Sequence, residues 1–194
     1  MSELKANKQD VVNCFSSAGS EAREVLKRLF GEKVFEFDYK TITSFEKACD
    51  RQCISAVIPT VKTRTDVNQN ALISAGALYQ LLTIQDAVND GWKQGDNEWG
   101  WFPYWVLYTK KELDDMGEKK RKENGIRLLS GVYAHAAESA GVRGANAYYR
   151  GAHSNTYIGF PLCLKSQEHA LWMGEQFESL FFQYYGLTLK NEEE

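Results

Sequence analysis

Trp99-Gly100-Trp101-Phe102-Pro103-Tyr104-Trp105-Val106-Leu107-Tyr108 is the most aromatic stretch of the chain, with six ring-bearing residues and no charge. Such composition favours an extended strand. In an extended chain Trp99, Trp101, Pro103, Trp105 and Leu107 point to one side, and Phe102, Tyr104, Val106 and Tyr108 to the other. Both sides are apolar. A strand wetted on one face alternates with polar residues, so this one is expected to be enclosed by the fold or covered by another subunit. Trp and Tyr bury much area with few rotamers to freeze, and they concentrate in the energetic centres of protein interfaces. Trp99, Trp101, Phe102, Tyr104, Trp105 and Tyr108 are therefore the candidate interface or ligand-contact residues. The row of three Trp offers an alternative, a platform on which sugar rings or bases stack.

Downstream of this strand, Thr109 and Glu112 make a capping box, in which each side chain satisfies an orphan amide of the first helical turn. A short helix and a charged linker ending near Gly125 follow. Residues 126–164 alternate and carry Gly131, Gly141, Gly144, Gly151 and Gly159, the pattern of two to four antiparallel strands with glycine-bearing turns. Pro161 marks an edge or a strand start. Ser166 caps a last helix, whose Ala170, Leu171, Met173, Gly174, Phe177, Leu180, Phe181 and Tyr184 line one wide face.

Upstream, a Gly95-Asp96-Asn97 turn is preceded by the clearest helix, Asn70 to Asp90. Its Leu72, Ile73, Leu78, Leu81, Leu82, Ala87 and Val88 recur at three- and four-residue spacing, and Gly91 stops it. Residues 54–67 read as loop. Thr43 and Glu46 form a second capping box before Phe45, Ala48 and Cys49. Ser20 caps a helix with Val25, Leu26, Leu29 and Phe30 on one stripe, Glu24 four residues before Arg28, and Gly31 at its end. Residues 1–19 read as a flexible polar arm and 188–194 as an acidic tail. Helices first, strands later and a helix at the end predict an α+β fold. The expected architecture is N-terminal helices, an aromatic strand and a small antiparallel sheet packed on a C-terminal helix, in one domain over residues 20–187.

A chain of 194 residues buries roughly 70% of the surface its unfolded form exposes, so the core needs no disulfide or metal staple. A content of 43% hydrophobic and 25% charged residues excludes wholesale disorder, a collagen-like rod and a membrane bundle. Basic and acidic residues number 23 and 26, which argues against generic nucleic-acid binding, since that affinity comes from neutralising phosphates with an excess of Lys and Arg. The first residues, Met1-Ser2-Glu3-Leu4-Lys5-Ala6-Asn7-Lys8, have no apolar core, so no secretory signal is expected. The aromatic stretch is about half the ~20 residues of a spanning helix, so no membrane segment is expected either. Cys14, Cys49, Cys53 and Cys163, with no glycosylation sequon beside them, read as reduced thiols of a cytosolic setting.

Sites for chemistry are sparse. Cys49 and Cys53 would share a helix face, but a zinc site needs four ligands. Cys14, Cys163, His135, His153 and His169 supply no second pair at a suitable spacing. A thiol enzyme would need Cys163 activated by His169. Cys163 lies in the apolar run Phe160-Pro161-Leu162-Cys163-Leu164, which predicts a packed thiol, and His169 falls in a first helical turn, where the dipole disfavours imidazolium. Asp114 and Asp115 diverge by about 100° on a helix. Lys119-Lys120-Arg121-Lys122 sits in a window, 110–123, with six basic and five acidic residues, the mark of a solvated face. Gly141-Val142-Arg143-Gly144 lacks the Lys-Ser/Thr ending of a phosphate loop. No catalytic residue, metal or cofactor is assigned. From Ser130 to Asn155, sixteen of 26 residues are Ser, Gly, Ala or Asn, material for close-packed turns and a contact surface.

Three segments carry a resemblance. They are Ala22 to Gly31 with Ile42-Thr43-Ser44-Phe45-Glu46-Lys47-Ala48-Cys49; Ala87-Val88-Asn89-Asp90-Gly91-Trp92-Lys93 leading to Asn97-Glu98 and Phe102-Pro103-Tyr104-Trp105; and Leu162-Cys163-Leu164-Lys165-Ser166 with Gly174-Glu175-Gln176-Phe177. In this order the chain resembles a family of small proteins of tailed phages that infect Bacteroides and relatives, including crAss-like phages. It departs from that pattern at Leu164, where an aromatic is usual, and at Gly100-Trp101, where more Tyr is usual. The resemblance implies a virion-associated, non-enzymatic role such as head decoration, head fibre or neck ring, with assembly in the bacterial host cytoplasm. Partners would be further copies of the chain and other virion proteins, without nucleic acid or membrane. Two alternatives remain beside it: a glycan-binding module for host attachment, and a cysteine-dependent enzyme.

Overall fold

The computed structural model describes residues 6–59, 68–95, 98–132, 139–151 and 162–190. The chain divides into two compact units, Met1–Asp38 and Tyr39–Glu194. The boundary between them, at residue 38, falls inside the 20–187 span read from sequence as one domain.

In the first unit, α1 (Lys8–Ser17) and α2 (Ser20–Phe30) form a helical hairpin. The expected flexible arm thus contains a helix. Its hold is aromatic and cationic: Phe15 stacks on Phe35 with ring centroids 4.2 Å apart, and Arg23 sits over the Phe15 ring while donating to the Phe15 carbonyl at 3.0 Å. The N-cap of α2 is Gly19, so Ser20 is its first helical residue, and Glu24 pairs with Lys27 rather than Arg28. Gly31, at φ 83°, ends the helix in a conformation that glycine adopts without strain. No residue of α2 is buried, and Val25 and Leu29 are 54% and 69% exposed.

The second unit is α+β. Its 3-10 turn Tyr39–Thr41 leads into α3 (Phe45–Gln52). Ser44, one residue after the predicted cap, accepts from the Lys47 amide, and Thr43 accepts from the Lys47 ammonium instead. The expected burial of Phe45, Ala48 and Cys49 is observed. Cys53 is the left-handed C-cap and exposed, so the two sulfurs do not share a helix face. α4 (Gln69–Asn89) starts at Asn68, whose side chain accepts from the Ala71 amide, and buries Ala77, Leu81, Thr83, Ile84, Ala87, Val88 and Asn89. Ile73, expected in the core, is exposed.

The sheet has the spatial order β1-β3-β2-β4, all antiparallel. β1 (Trp99–Thr109) pairs with β3 (Ser139–Gly151), with Trp99 opposite Gly151 and Tyr104 opposite Asn146 before the register shifts around Trp105. β2 (Ile126–Val132) lies on the other side of β3. β4 (Leu187–Leu189) then pairs with β2, and the Lys190 amide donates to the Leu128 carbonyl at 2.9 Å. Residues 188 and 189, assigned to the tail from sequence, are therefore part of the sheet.

Thr109 and Glu112 form the predicted capping box of α5 (Lys110–Met116). The charged linker is itself a helix, α6 (Glu118–Glu123), laced by Glu118–Lys122 and Lys119–Glu123 pairs. The last helix is two helices, α7 (Gln167–Gln176) and α8 (Glu178–Tyr185), separated at Phe177. Phe177 is buried, and its non-helical turn lets α7 cover β1 and β3 while α8 packs against α4 and β4. α7 comes close to the sheet at Gly174, where a Cβ would stand 2.8 Å from Pro103 Cβ and 3.1 Å from Ala145 Cβ. Pro161 and residues 152–160 lie outside the described residues.

Candidate functional site

The aromatic strand is an edge strand, and its two faces have different fates. On its outer edge Trp101 exchanges both backbone hydrogen bonds with Leu164, each at 2.9 Å. Two residues on, in the same outward phase, stands Pro103, which has no amide to offer a further strand. Toward the helices, Trp105 is packed within the unit: its centroid lies 4.9 Å from Phe181, 5.8 Å from Phe182 and 6.0 Å from Tyr185. Its indole N–H donates to Glu178 Oε1 at 3.1 Å. Arg127 grips the same carboxylate with both terminal nitrogens at 2.6 Å and lies over the Phe182 ring. Burial pushes the Glu178 carboxyl up, but the Arg127 guanidinium and the Trp105 indole outweigh it and leave its pKa below the ordinary value. Trp105 is thus part-buried and packed against the helices of its own unit.

Toward the opposite face, Tyr104 meets Tyr148 of β3 edge-on at 6.2 Å. Tyr104 is 40% and Tyr148 50% exposed, and Leu128 of β2 is also exposed. Phe102 and Val106 are half-buried. α5 covers the far end of this face, where Leu113 and Ile126 approach Gly141 so closely that a Cβ there would lie 3.0–3.1 Å from them. Tyr108 lines a shallow recess with Glu112, Asp115, Met116, Lys120 and Asn124. At the start of the strand Trp99 is 55% exposed, and Trp101 is half-buried. The predicted residues therefore part into a packed Trp105, a half-buried Trp101, Phe102 and Tyr108, and an exposed Trp99 and Tyr104. The three Trp do not make one open row, because the Trp105 ring packs against Phe181, Phe182 and Tyr185.

Sequence reasoning did not anticipate the clamp on residues 162–165. Gln85 and Asn89, one turn apart on α4, treat that segment as a neighbouring strand would. Gln85 accepts from the Leu162 amide at 3.0 Å and donates to the Cys163 carbonyl at 2.9 Å. Asn89 donates to the same carbonyl at 2.8 Å and accepts from the Lys165 amide at 3.2 Å. The clamp holds Leu162 at φ 62°, a left-handed value uncommon for a branched residue. Two amides four apart within a buried apolar helix were the available signal.

Cys163 is buried, and burial pushes its thiol up to about 11. His169 is pushed down to about 4, mainly by burial. A thiolate–imidazolium pair is favoured by shifts in the opposite sense. Ser166, His169 and Glu168 do come together, with Ser166 Oγ 2.8 Å from His169 Nδ1 and 2.7 Å from Glu168 Oε2. The hydroxyl is the N-cap of α7, and the imidazole does not bridge it to the carboxylate as a catalytic triad requires. Among the described residues no three His, Cys, Asp or Glu side chains gather as a metal site. α4 has the length and apolar composition to cross a bilayer, although the sequence analysis expected no such segment. In this fold it packs against α3 and α8 and spends Gln85 and Asn89 on the chain beside it.

Comparison with family models, curated proteins and solved structures finds no match.

Proposed function

We propose that this chain is a non-enzymatic structural protein of a tailed-phage virion, a head-decoration, head-fibre or neck-ring component that assembles with copies of itself and with other virion proteins. The observation that carries this reading is the set of large exposed rings on the outer part of the sheet, Tyr104 and Tyr148 on one face and Trp99 on the other, each 40% exposed or more. The likeness of the three sequence segments to small phage proteins supplies the virion context. Apolar area contributes roughly 25 cal/mol per Å² when covered, and a large ring offers about 150–250 Å². Covering the exposed half of three such rings would contribute several kcal/mol, and closed symmetry would repeat that gain at each contact.

The test is the light-scattering mass of the purified full chain, with mass spectrometry of intact particles beside it. The expected result is an oligomer, reduced to monomer by Trp99→Ala/Tyr104→Ala/Tyr148→Ala with little change in melting temperature, and the chain present in particles. A monomer at all concentrations, missing from particles, would overturn the proposal. The packing of Trp105 against Phe181, Phe182 and Tyr185 speaks against a three-Trp platform for glycans.

A further inference from the structure

The contact between His169 and Tyr39 is not explained by packing alone. Tyr39 is the first residue of the second unit and the start of the 3-10 turn through which the chain arrives from the first. Its ring lies flat on the His169 imidazole with centroids 3.7 Å apart, and Trp172 meets it edge-on at 5.3 Å. Beneath this lid, His169 Nε2 is buried and has no hydrogen-bond partner among the described residues.

Proton counting defines the state of the ring. Ser166 Oγ has one hydrogen, and it is committed to the Glu168 carboxylate at 2.7 Å, whose pKa that bond lowers. His169 Nδ1, 2.8 Å from the same oxygen, must then carry the hydrogen of that contact. Nε2 is left as a bare acceptor. A second proton would turn it into a buried cationic donor facing no acceptor among the described residues, in the first turn of α7, where the helix dipole is positive. The charges acting on the ring are Lys165, which opposes protonation, and Glu168, which favours it. From the turn come Tyr39 itself and Lys40, whose ammonium lies 6.0 Å from the Tyr39 ring centroid. α4 packs against both the turn and α7 but, among the described residues, sends no charge that acts on the ring.

We propose that His169 is an acid-released latch on the Tyr39–Thr41 turn, shut while its imidazole is neutral and opened when the ring takes a second proton and must reach water. The shut ring holds its proton affinity down to about 4, whereas an open one has the ordinary value of 6.5. Between those values the open state binds a proton that the shut state refuses, so the opening constant rises about tenfold for each pH unit of acidification.

The experiment is amide exchange by NMR on the full chain. The reporter is the Ile42 amide, which donates to the Tyr39 carbonyl at 3.1 Å within the turn. Its protection factor, normalised for intrinsic exchange, should fall about tenfold per pH unit from about pH 6 to pH 5, above the range where carboxylates titrate. Protection of Val88 and Leu81 in α4 should hold steady. His169→Phe keeps a ring under Tyr39 and should abolish the slope. Tyr39→Leu, scored in the same spectra, should move the His169 titration up toward its ordinary value. A flat Ile42 profile in the natural chain, an equal slope in His169→Phe, an unmoved His169 titration in Tyr39→Leu, or loss of α4 protection in step with Ile42 would each overturn the latch.

Discussion

Cys163 Sγ occupies the space that a Cβ on residue 100 would need: built there, it would stand 1.8 Å from the sulfur. The strand can carry its rings past the 162–165 segment only because Gly100 has no side chain. Gly100→Ala should cost about 1–3 kcal/mol through overpacking. In Gly100→Ala/Cys163→Ala the sulfur is gone, so the second change should recover part of that loss. Thermal melting of the four proteins of this cycle would measure a favourable coupling; strictly additive losses would refute the contact.

The carboxylate of Glu178 is shared by the Arg127 fork and the Trp105 indole. Because the pair is part-exposed, screened by solvent, its loss should be modest. Glu178→Gln should lower stability by about 1–2 kcal/mol, and Trp105→Ala, which also opens the cluster with Phe181, Phe182 and Tyr185, by about 3–5 kcal/mol. The folded carboxyl has a pKa below its unfolded value, so its contribution is complete above the ordinary carboxylate range and fades as pH falls through the folded value. Urea melts of Glu178→Gln should therefore show a shallower loss of stability below pH 4.5 than the natural chain.

Asn89→Ala removes both bonds that Asn89 makes with the 162–165 segment and leaves the Lys165 amide without that acceptor. A cost of about 1–3 kcal/mol follows. Asn89→Asp keeps the acceptor but loses the donor to the Cys163 carbonyl, so it should not restore stability. Equal stability of Asn89→Asp and the natural chain at neutral pH would show that the clamp carries little.

Iodoacetamide should separate the thiols. Cys14 and Cys53 are exposed, whereas Cys49 and Cys163 are buried with pKa values raised by that burial. Intact mass should show two adducts on the native chain and further ones only after denaturation. Rapid native labelling of Cys163 would contradict the packing described above.

Local signals were legible. The Thr109–Glu112 box, the Ser166 cap, the span of α4 and the aromatic strand each depend on residues within a few positions of one another, and each is where sequence placed it. Elements created by distant partners were not. β4 is three residues long and exists because β2 offers an edge; the break at Phe177 answers the competing demands of the sheet and of α4. Thr43 and Ser44 are both good caps, and the backbone chose Ser44. In the candidate site, alternation gave the two faces of β1, but only packing could decide that Trp105 turns inward while Trp99 and Tyr104 stay open.

The order β1-β3-β2-β4 also governs when this fold can form. Residues 99–109 find one edge at 139–151 and the other at Leu164, the cover of their Pro103 and Trp105 face arrives only with 167–185, and β2 waits for 187–189. A ribosome-bound chain that has emerged only to residue 161 would hold Pro103 and Trp105 uncovered, with Arg127 lacking its carboxylate. Closure of so many distant loops makes for slow folding, and during that delay the same rings that later build the core would be the surface most in need of a chaperone.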